Sequence, residues 1–108
     1  MRWTLDLDDA TEETLGETFG KVREMFGNET EIRYRVSGSG KGYHVEWYSV
    51  FDEECPDKYR IRESLGDDPL RIEIDKKREN SGLDTDILFD GYWRRGEYFE
   101  AGPWRVAV

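Results

Sequence analysis

Three short segments carry the side chains that could do chemistry in this chain of 108 residues. Asp6 and Asp8 form an acidic pair, and Asp75 ends a later stretch in which apolar and charged residues alternate. His44, the only histidine, follows directly on a Ser- and Gly-rich stretch. Clustered carboxylates repel one another, and a divalent cation that prefers oxygen ligands, Mg²⁺ or Mn²⁺, relieves the repulsion. The residue types therefore indicate a metal-binding site among these acids, with His44 beside it.

The Ser- and Gly-rich stretch is suited to phosphate. Residues 37–42 offer backbone N–H groups, two hydroxyls and one ammonium group. A metal held by carboxylates beside such a loop is the arrangement of phosphoryl or nucleotidyl transfer. The candidate nucleotide-binding residues are Ser37, Ser39, Lys41 and His44. Simpler interpretations stay open for each signal: a solvated acidic strand, a plain hairpin loop, a structural histidine, and an acid that balances the basic run 76–78.

Local patterns predict the elements that position these groups. Helices are predicted from a D-x-x-E capping box at Asp9 to a stop at Gly27, and over residues 57–65, where a strand is the alternative. Alternation of apolar and polar residues predicts strands over residues 3–8, 31–37, 43–50, 70–75 and 85–92. The order β-α-β-β-α-β plus an extra C-terminal strand is the ferredoxin-like or RRM-like α+β fold, with an antiparallel sheet and two helices on one face.

Strand parity then predicts which side chains share a surface. The side chains that face the helices must be apolar, so their neighbours face the open side of the sheet. The inward residues are Leu5 and Leu7, Val45 and Trp47, and Ile72 and Ile74. The same rule applied to three adjacent strands therefore places Asp6, Asp8, His44 and Asp75 together on the open face.

These residues resemble the motifs of the archaeo-eukaryotic primase superfamily. That family carries an acidic pair on a strand, a Ser/Gly-rich segment that ends in histidine, and a later strand acid, all on an RRM-like core. The matching stretches here are 5–8, 37–44 and 71–75, in the same order. The resemblance implies that Asp6, Asp8 and Asp75 bind Mg²⁺ or Mn²⁺ and act in catalysis with His44, and that Ser39 and His44 contact the triphosphate of an incoming nucleotide.

The chain also departs from that family. It has one cysteine and one histidine, so it cannot form the zinc site found in many members, and no basic template groove is evident. The resemblance therefore implies a minimal or inactive relative in a viral or plasmid replication system. The sequence does not decide whether the domain is an enzyme. The chain is also similar to short proteins of archaeal and phage mobile elements.

Two other functions fit parts of the sequence. Residues 41–48 partly resemble the strand of an RRM whose aromatic residues stack on bases, which suggests a single-stranded nucleic-acid binder. The aromatic residues in the C-terminal segment 96–108 could instead cover a sheet edge or pair with a second copy, as in a non-catalytic interaction module that forms a homodimer.

Composition limits the class of protein. The length predicts one domain, with an α+β core over residues 1–95 and a C-terminal extension over 96–108. The formal net charge of −9 argues against general coating of nucleic acid, and a dispersed acidic surface is also typical of proteins from high salt. No stretch is long and apolar enough to span a membrane, and one unpaired cysteine fits a reducing cytoplasm.

Overall fold

The fold is described from a computed structural model that covers residues 1–49 and 55–107. Three helices and six strands lie in these two ranges, and the α+β class is confirmed. In chain order the elements are β1 (Arg2–Leu7), α1 (Glu12–Phe26), β2 (Ile32–Val36), β3 (Tyr43–Tyr48), α2 (Lys58–Ser64), α3 (Pro69–Asn80), β4 (Gly91–Arg94), β5 (Glu97–Glu100) and β6 (Arg105–Val106). None of the helices is long and apolar enough to cross a membrane.

The main sheet has four antiparallel strands in the order β1-β3-β2-β6. The β2–β3 hairpin and its neighbour β1 lie where alternation predicts them, and Asp6 is paired directly with His44. The predicted inward side chains of β1 and β3 are buried against α1, as parity requires. The core consists of Trp3, Leu5, Leu7, Leu15, Val22, Ile32, Val45, Trp47, Leu65 and Ala107.

The first helix begins slightly later than the capping box predicts. Thr11 is the N-cap, and its hydroxyl accepts a hydrogen bond from the Thr14 N–H at 3.2 Å. Asp9 has a positive φ of 54°, outside the helix. The predicted stop at Gly27 is confirmed, since this residue follows the last helical residue with a φ of 111°. The second predicted helix is also confirmed, as α2.

The predicted strand over residues 70–75 is wrong, because this stretch lies inside α3. Asp68 caps the helix by accepting a hydrogen bond from the Leu70 N–H at 3.0 Å, and Pro69 occupies the first helical turn. Ile72 and Asp75, three residues apart, face inward, while Leu70 and Ile74 are exposed. The alternation of apolar and charged residues was therefore coincidental, and helical spacing decides which side chains are buried.

A loop takes the place of the missing strand at the outer edge of β1. The Asp67 carboxylate accepts a hydrogen bond from the Asp6 N–H at 2.9 Å, and the Asp68 N–H donates to the Asp6 carbonyl at 3.2 Å. Arg71 donates to the Thr4 carbonyl at 3.3 Å. These groups pair with exposed backbone that would otherwise be an open sheet edge. The ferredoxin-like arrangement, in which β1 lies between two strands, is absent from the described residues.

The C-terminal part also differs from the prediction. Of the predicted strand over residues 85–92, only Gly91 and Tyr92 lie in a strand, at the start of the β4–β5 hairpin. The predicted boundary at residue 95 falls in the turn of this hairpin. The chain then returns to the main sheet as β6, which pairs with β2, and the next residue, Ala107, is buried in the core.

Candidate functional site

The sheet face opposite α1 is polar, as parity predicts, but it is not open. Thr4, His44 and Glu46 lie on this side, and all three are buried. The Thr4 hydroxyl donates to the Asp86 carboxylate at 3.2 Å, and Arg71 of α3 contacts the same hydroxyl. The prediction of an open face is therefore wrong, because α3 and the segment that precedes β4 cover the polar side chains.

Asp75 belongs to a buried ion-pair network beneath α3. The Arg62 guanidinium lies 2.7 Å from Asp67 Oδ2, 2.7 Å from Asp75 Oδ2 and 3.7 Å from Asp86 Oδ1. The Asp86 N–H also donates to Asp75 Oδ2 at 3.2 Å. Burial alone would raise the pKa of Asp86, but the hydrogen bond and charge of Lys58, together with the charge of Arg62, lower it overall. Each of the three buried carboxylates is therefore paired with a cation, as buried charges require.

A cavity of about 430 Å³ opens beside this network and brings together most of the predicted site residues. Its polar side is formed by groups from the ends of β1, β2 and β3 and from α3, and its apolar side by exposed residues of α3 and by the segment leading into β4. The lining residues include Asp6, Asp8, Ser37, Ser39, His44, Asp68, Arg71, Asp75 and Arg78 on the polar side, and Leu70, Ile74, Ile87, Leu88, Phe89 and Tyr92 on the apolar side.

The imidazole of His44 is held in one tautomer at the edge of this cavity. Arg35 Nε donates to His44 Nδ1 at 3.0 Å, and because a guanidinium stays protonated, the proton of the neutral ring must be on Nε2. Burial and then the charge of Arg35 lower the pKa of His44 to about 4, so the ring is neutral at pH 7. His44 therefore presents an N–H donor, and Nε2 lies 3.8 Å from Asp6 Oδ1, too far for a direct hydrogen bond.

Asp6 has the electrostatics of a site residue. Oδ1 is buried and has no hydrogen-bond partner within residues 1–49 and 55–107. Burial, followed by the nearby charge of Asp8, raises the pKa of Asp6 to about 6. The pKa of Asp8 is also raised, by burial and then by Asp68 and Asp9. The folded protein therefore keeps two mutually repelling carboxylates at the cavity, which a cation or a hydrogen-bond donor would relieve.

The predicted phosphate-binding residues separate into two groups. Ser37 and Ser39 line the cavity, and their hydroxyls are 3.0 Å apart. The backbone N–H of Lys41 donates to Ser39 Oγ at 3.2 Å. Lys41 does not line the cavity, and it borders a separate depression together with Gly40 and Gly42. The structure thus brings the two serines to Asp6 and His44 and leaves Lys41 outside.

The predicted three-acid metal site is not assembled in this structure. Asp75 lines the cavity, but its Oδ2 is already bonded to Arg62 and to the Asp86 N–H. No three His, Cys, Asp or Glu side chains in the described parts of the chain are placed to hold a metal ion together. Asp6 and Asp8 both line the cavity, and a metal at these two residues stays a prediction.

Sequence reasoning missed several residues of the site. Arg35 fixes the His44 tautomer, and no spacing rule marks it, because its partner lies on the neighbouring strand. Phe89 and Ile87 form part of the apolar side but were assigned to a strand. Trp47, one of the aromatic residues in the stretch 41–48 that resembles an RRM strand, is only 1% exposed and packs in the core, as strand parity predicts. That observation argues against base stacking by Trp47.

Replacing Asp6 with asparagine should stabilise the metal-free protein at neutral pH. The folded-state pKa of about 6 lies above the ordinary value of 3.8, so the ionised carboxylate costs stability above pH 6 and nothing below 3.8. We expect Asp6→Asn to raise the free energy of unfolding by about 1–3 kcal/mol near pH 7.5 in chelator, with the gain lost near pH 4. Urea titrations at both pH values measure this, and a pH-independent effect would contradict it.

Comparison with known proteins finds no matching family model, no matching curated protein and no matching solved structure. The function is therefore inferred from the cavity and the residues that line it.

Proposed function

We propose that the cavity binds a nucleotide together with Mg²⁺ or Mn²⁺, as in a minimal primase-like nucleotide-handling domain. The observation that carries the proposal is the convergence of Asp6, Asp8, Ser37, Ser39 and His44, from three separate strand ends, on a cavity with an apolar opposite side. Cavities of this size with a few convergent polar groups and perturbed pKa values are typical of small-molecule sites.

The acidic end is suited to the cation. Mg²⁺ usually takes one or two carboxylates, keeps several waters and completes its coordination with substrate phosphate oxygens. Asp6 and Asp8 supply two carboxylates whose pKa values are raised chiefly by burial and also by neighbouring acids, and a bound cation removes that unfavourable energy. Asp75 is left out of the proposed ligand set, because Arg62 and the Asp86 N–H already occupy one of its oxygens.

The phosphates would lie between the cation and the Ser- and Gly-rich turn of residues 37–42, which we call the serine turn. Ser37 and Ser39 provide hydroxyl donors on this side of the cavity, and His44 Nε2–H is fixed as a donor by Arg35. This neutral N–H could donate to a phosphate oxygen, and Arg71 and Arg78, which also line the cavity, would supply positive charge that one cation between two carboxylates does not. The planar base would then rest against Ile87, Phe89 and Tyr92, with Leu70 and Ile74 of α3 on the other side.

Nucleotidyl transfer is the reaction class that such an arrangement would serve. A metal at Asp6 and Asp8 would polarise a phosphoryl oxygen and balance charge on the leaving group. The residues of this chain would orient the nucleotide: the serine hydroxyls and His44 at the phosphates, and the apolar side at the base. Such a site would not need a ferredoxin-like strand order, and residues 70–75 are helical in this fold.

A thermal-shift titration with Mn²⁺ and a nucleoside triphosphate tests the proposal. A ligand at about ten times its Kd stabilises the folded state by about 1.4 kcal/mol, which raises Tm by about 5 °C or more in a domain of this size. We expect this rise in the wild type and its loss in Asp6→Asn/Asp8→Asn.

The matched control is Glu12→Gln/Glu13→Gln, which removes two exposed acids from the first turn of α1. This variant should keep the full rise in Tm. No rise in the wild type at millimolar Mn²⁺ and nucleotide, or an equal rise in both double variants, would contradict the proposed site.

A further inference from the structure

The β4–β5 hairpin presents an aromatic surface that has no partner in the described residues. The hairpin has two faces. Tyr92 and Phe99 stack with their ring centroids 5.6 Å apart, and Tyr92 packs beside Gly38 of the serine turn. On the opposite face, Trp93 and Tyr98 contact one another at 5.3 Å, and they are 72% and 46% exposed. We define this second face, with Gly91 and Glu100, as the outer face of the hairpin.

A tight two-residue turn closes the hairpin. Arg95 and Gly96, the two residues of the turn, both have positive φ, 51° and 80°, the geometry of a type I′ turn that matches the twist of a two-stranded hairpin. Arg95 is an L-residue in the left-handed region. This conformation costs stability, and the turn geometry of the hairpin requires it. A preformed surface loses little conformational entropy when it binds a partner.

We propose that the outer face of the hairpin binds the same face of a second copy of this chain, in an antiparallel, two-fold contact. The distribution of charge makes the hairpin the place where two copies could approach one another. The chain carries a net charge of −9, so copies repel one another over most of their surface. The hairpin itself is neutral, with Arg94 and Arg95 balanced by Glu97 and Glu100. It is therefore an aromatic region where that repulsion is locally absent.

The same charges fix the relative direction of the two hairpins. Arg95 lies at the turn, and Glu100 lies at the open end of the outer face. Packing turn against turn would bring Arg95 next to its own copy, a like-charge contact. Packing turn against open end brings each Arg95 to the Glu100 of the other molecule, and it stacks Trp93 and Tyr98 across the axis. A contact made by one four-residue-strand hairpin from each copy would be small, so we expect a Kd of about micromolar, as for transient interfaces.

Sedimentation equilibrium from about 5 to 500 μM chain, a range that brackets a micromolar Kd, measures this association. The wild type should change from the monomer mass of 12.8 kDa toward twice that mass, and Trp93→Ala should stay monomeric. Phe89→Ala is the matched control, since Phe89 is an exposed aromatic residue that lines the cavity but lies outside the hairpin. It should associate like the wild type while binding nucleotide less tightly, so the two proposals fail separately.

Charge reversal tests the antiparallel arrangement. Arg95→Glu and Glu100→Arg should each weaken association about tenfold or more, because each creates like-charge contacts across the axis. The double variant Arg95→Glu/Glu100→Arg should recover wild-type association. A wild type that stays at the monomer mass at the highest concentration would overturn self-association. Equal association of Trp93→Ala, or no recovery in the double variant, would overturn the proposed contact.

Discussion

Replacing Arg62 with methionine should lower the free energy of unfolding by about 3–5 kcal/mol, the cost of breaking a buried ion pair from one side. The Arg62 side chain is fully buried and lies 2.7 Å from both Asp67 and Asp75. Methionine fills a similar volume, so the loss would come mainly from Asp75, whose counter-charge is removed, since Asp67 keeps Arg71 and Asp86 keeps Lys58. Arg62 also joins α2, α3 and the loop that covers the edge of β1, so the effect should be global.

The control is Arg60→Met, on the exposed side of the same helix, which should change stability by no more than about 0.5 kcal/mol. Urea unfolding followed by circular dichroism measures both variants. Arg62→Lys keeps the charge but loses the planar fork, and should lie between wild type and Arg62→Met. Adding Asp67→Asn to Arg62→Met should cost less than the sum of the two single changes. A loss below about 1 kcal/mol for Arg62→Met would contradict the role assigned to the network.

Gly42→Ala should be the most damaging change in the serine turn. A Cβ at this position would lie 2.1 Å from the Leu7 carbonyl oxygen and 3.2 Å from the Asp8 Cα, both in the backbone of the neighbouring segment. The two backbone segments would have to separate where β1 ends. We expect the free energy of unfolding to fall by about 3 kcal/mol, at the upper end of the range for overpacking. The same separation would move Asp8 away from Ser39 and weaken nucleotide binding.

Gly40→Ala provides the comparison within the same turn. Its Cβ would meet no atom within 4 Å, and only its positive φ of 73° is unfavourable for alanine. We expect a cost of about 1 kcal/mol from that conformation alone. Thermal unfolding of the two variants side by side distinguishes steric crowding from backbone strain. An equal loss of stability in both would contradict the claim that the close approach of residue 42 to β1 excludes a side chain there.

Much of the sheet was predictable because the relevant signals are local. Apolar–polar alternation in β1, β2 and β3, with a glycine-rich turn between the last two, is enough to specify the strands and the face of each side chain. Parity predicts that Asp6 and His44 share a face, and the structure adds that they are directly paired across β1 and β3. The same argument failed at residues 70–75, where alternation competed with a capping aspartate and a proline at residues 68 and 69. Those two residues were the more reliable signal for a helix.

The site was predictable only in part, for a different reason. Parity can assign Asp6 and His44 to one face, but it cannot say which carboxylate is paired with which cation. Arg62 lies in a different helix from Asp75, and no sequence spacing connects them. The part of the apolar side that precedes and begins β4 is tied to β2 by Arg35, which donates to the Phe89 carbonyl and to the Asp90 carboxylate. Such contacts between distant segments follow from the complete fold rather than from local patterns.

A crystal structure of the protein grown with Mn²⁺ and a nucleoside triphosphate tests the central claim most directly, because manganese is located by its anomalous scattering. We expect one manganese peak at about 2.1 Å from carboxylate oxygens of both Asp6 and Asp8, with the phosphates toward Ser37 and Ser39 and the base beside Phe89. Nucleotide bound outside this cavity, or a cavity free of manganese at saturating concentrations of both ligands, would contradict the account.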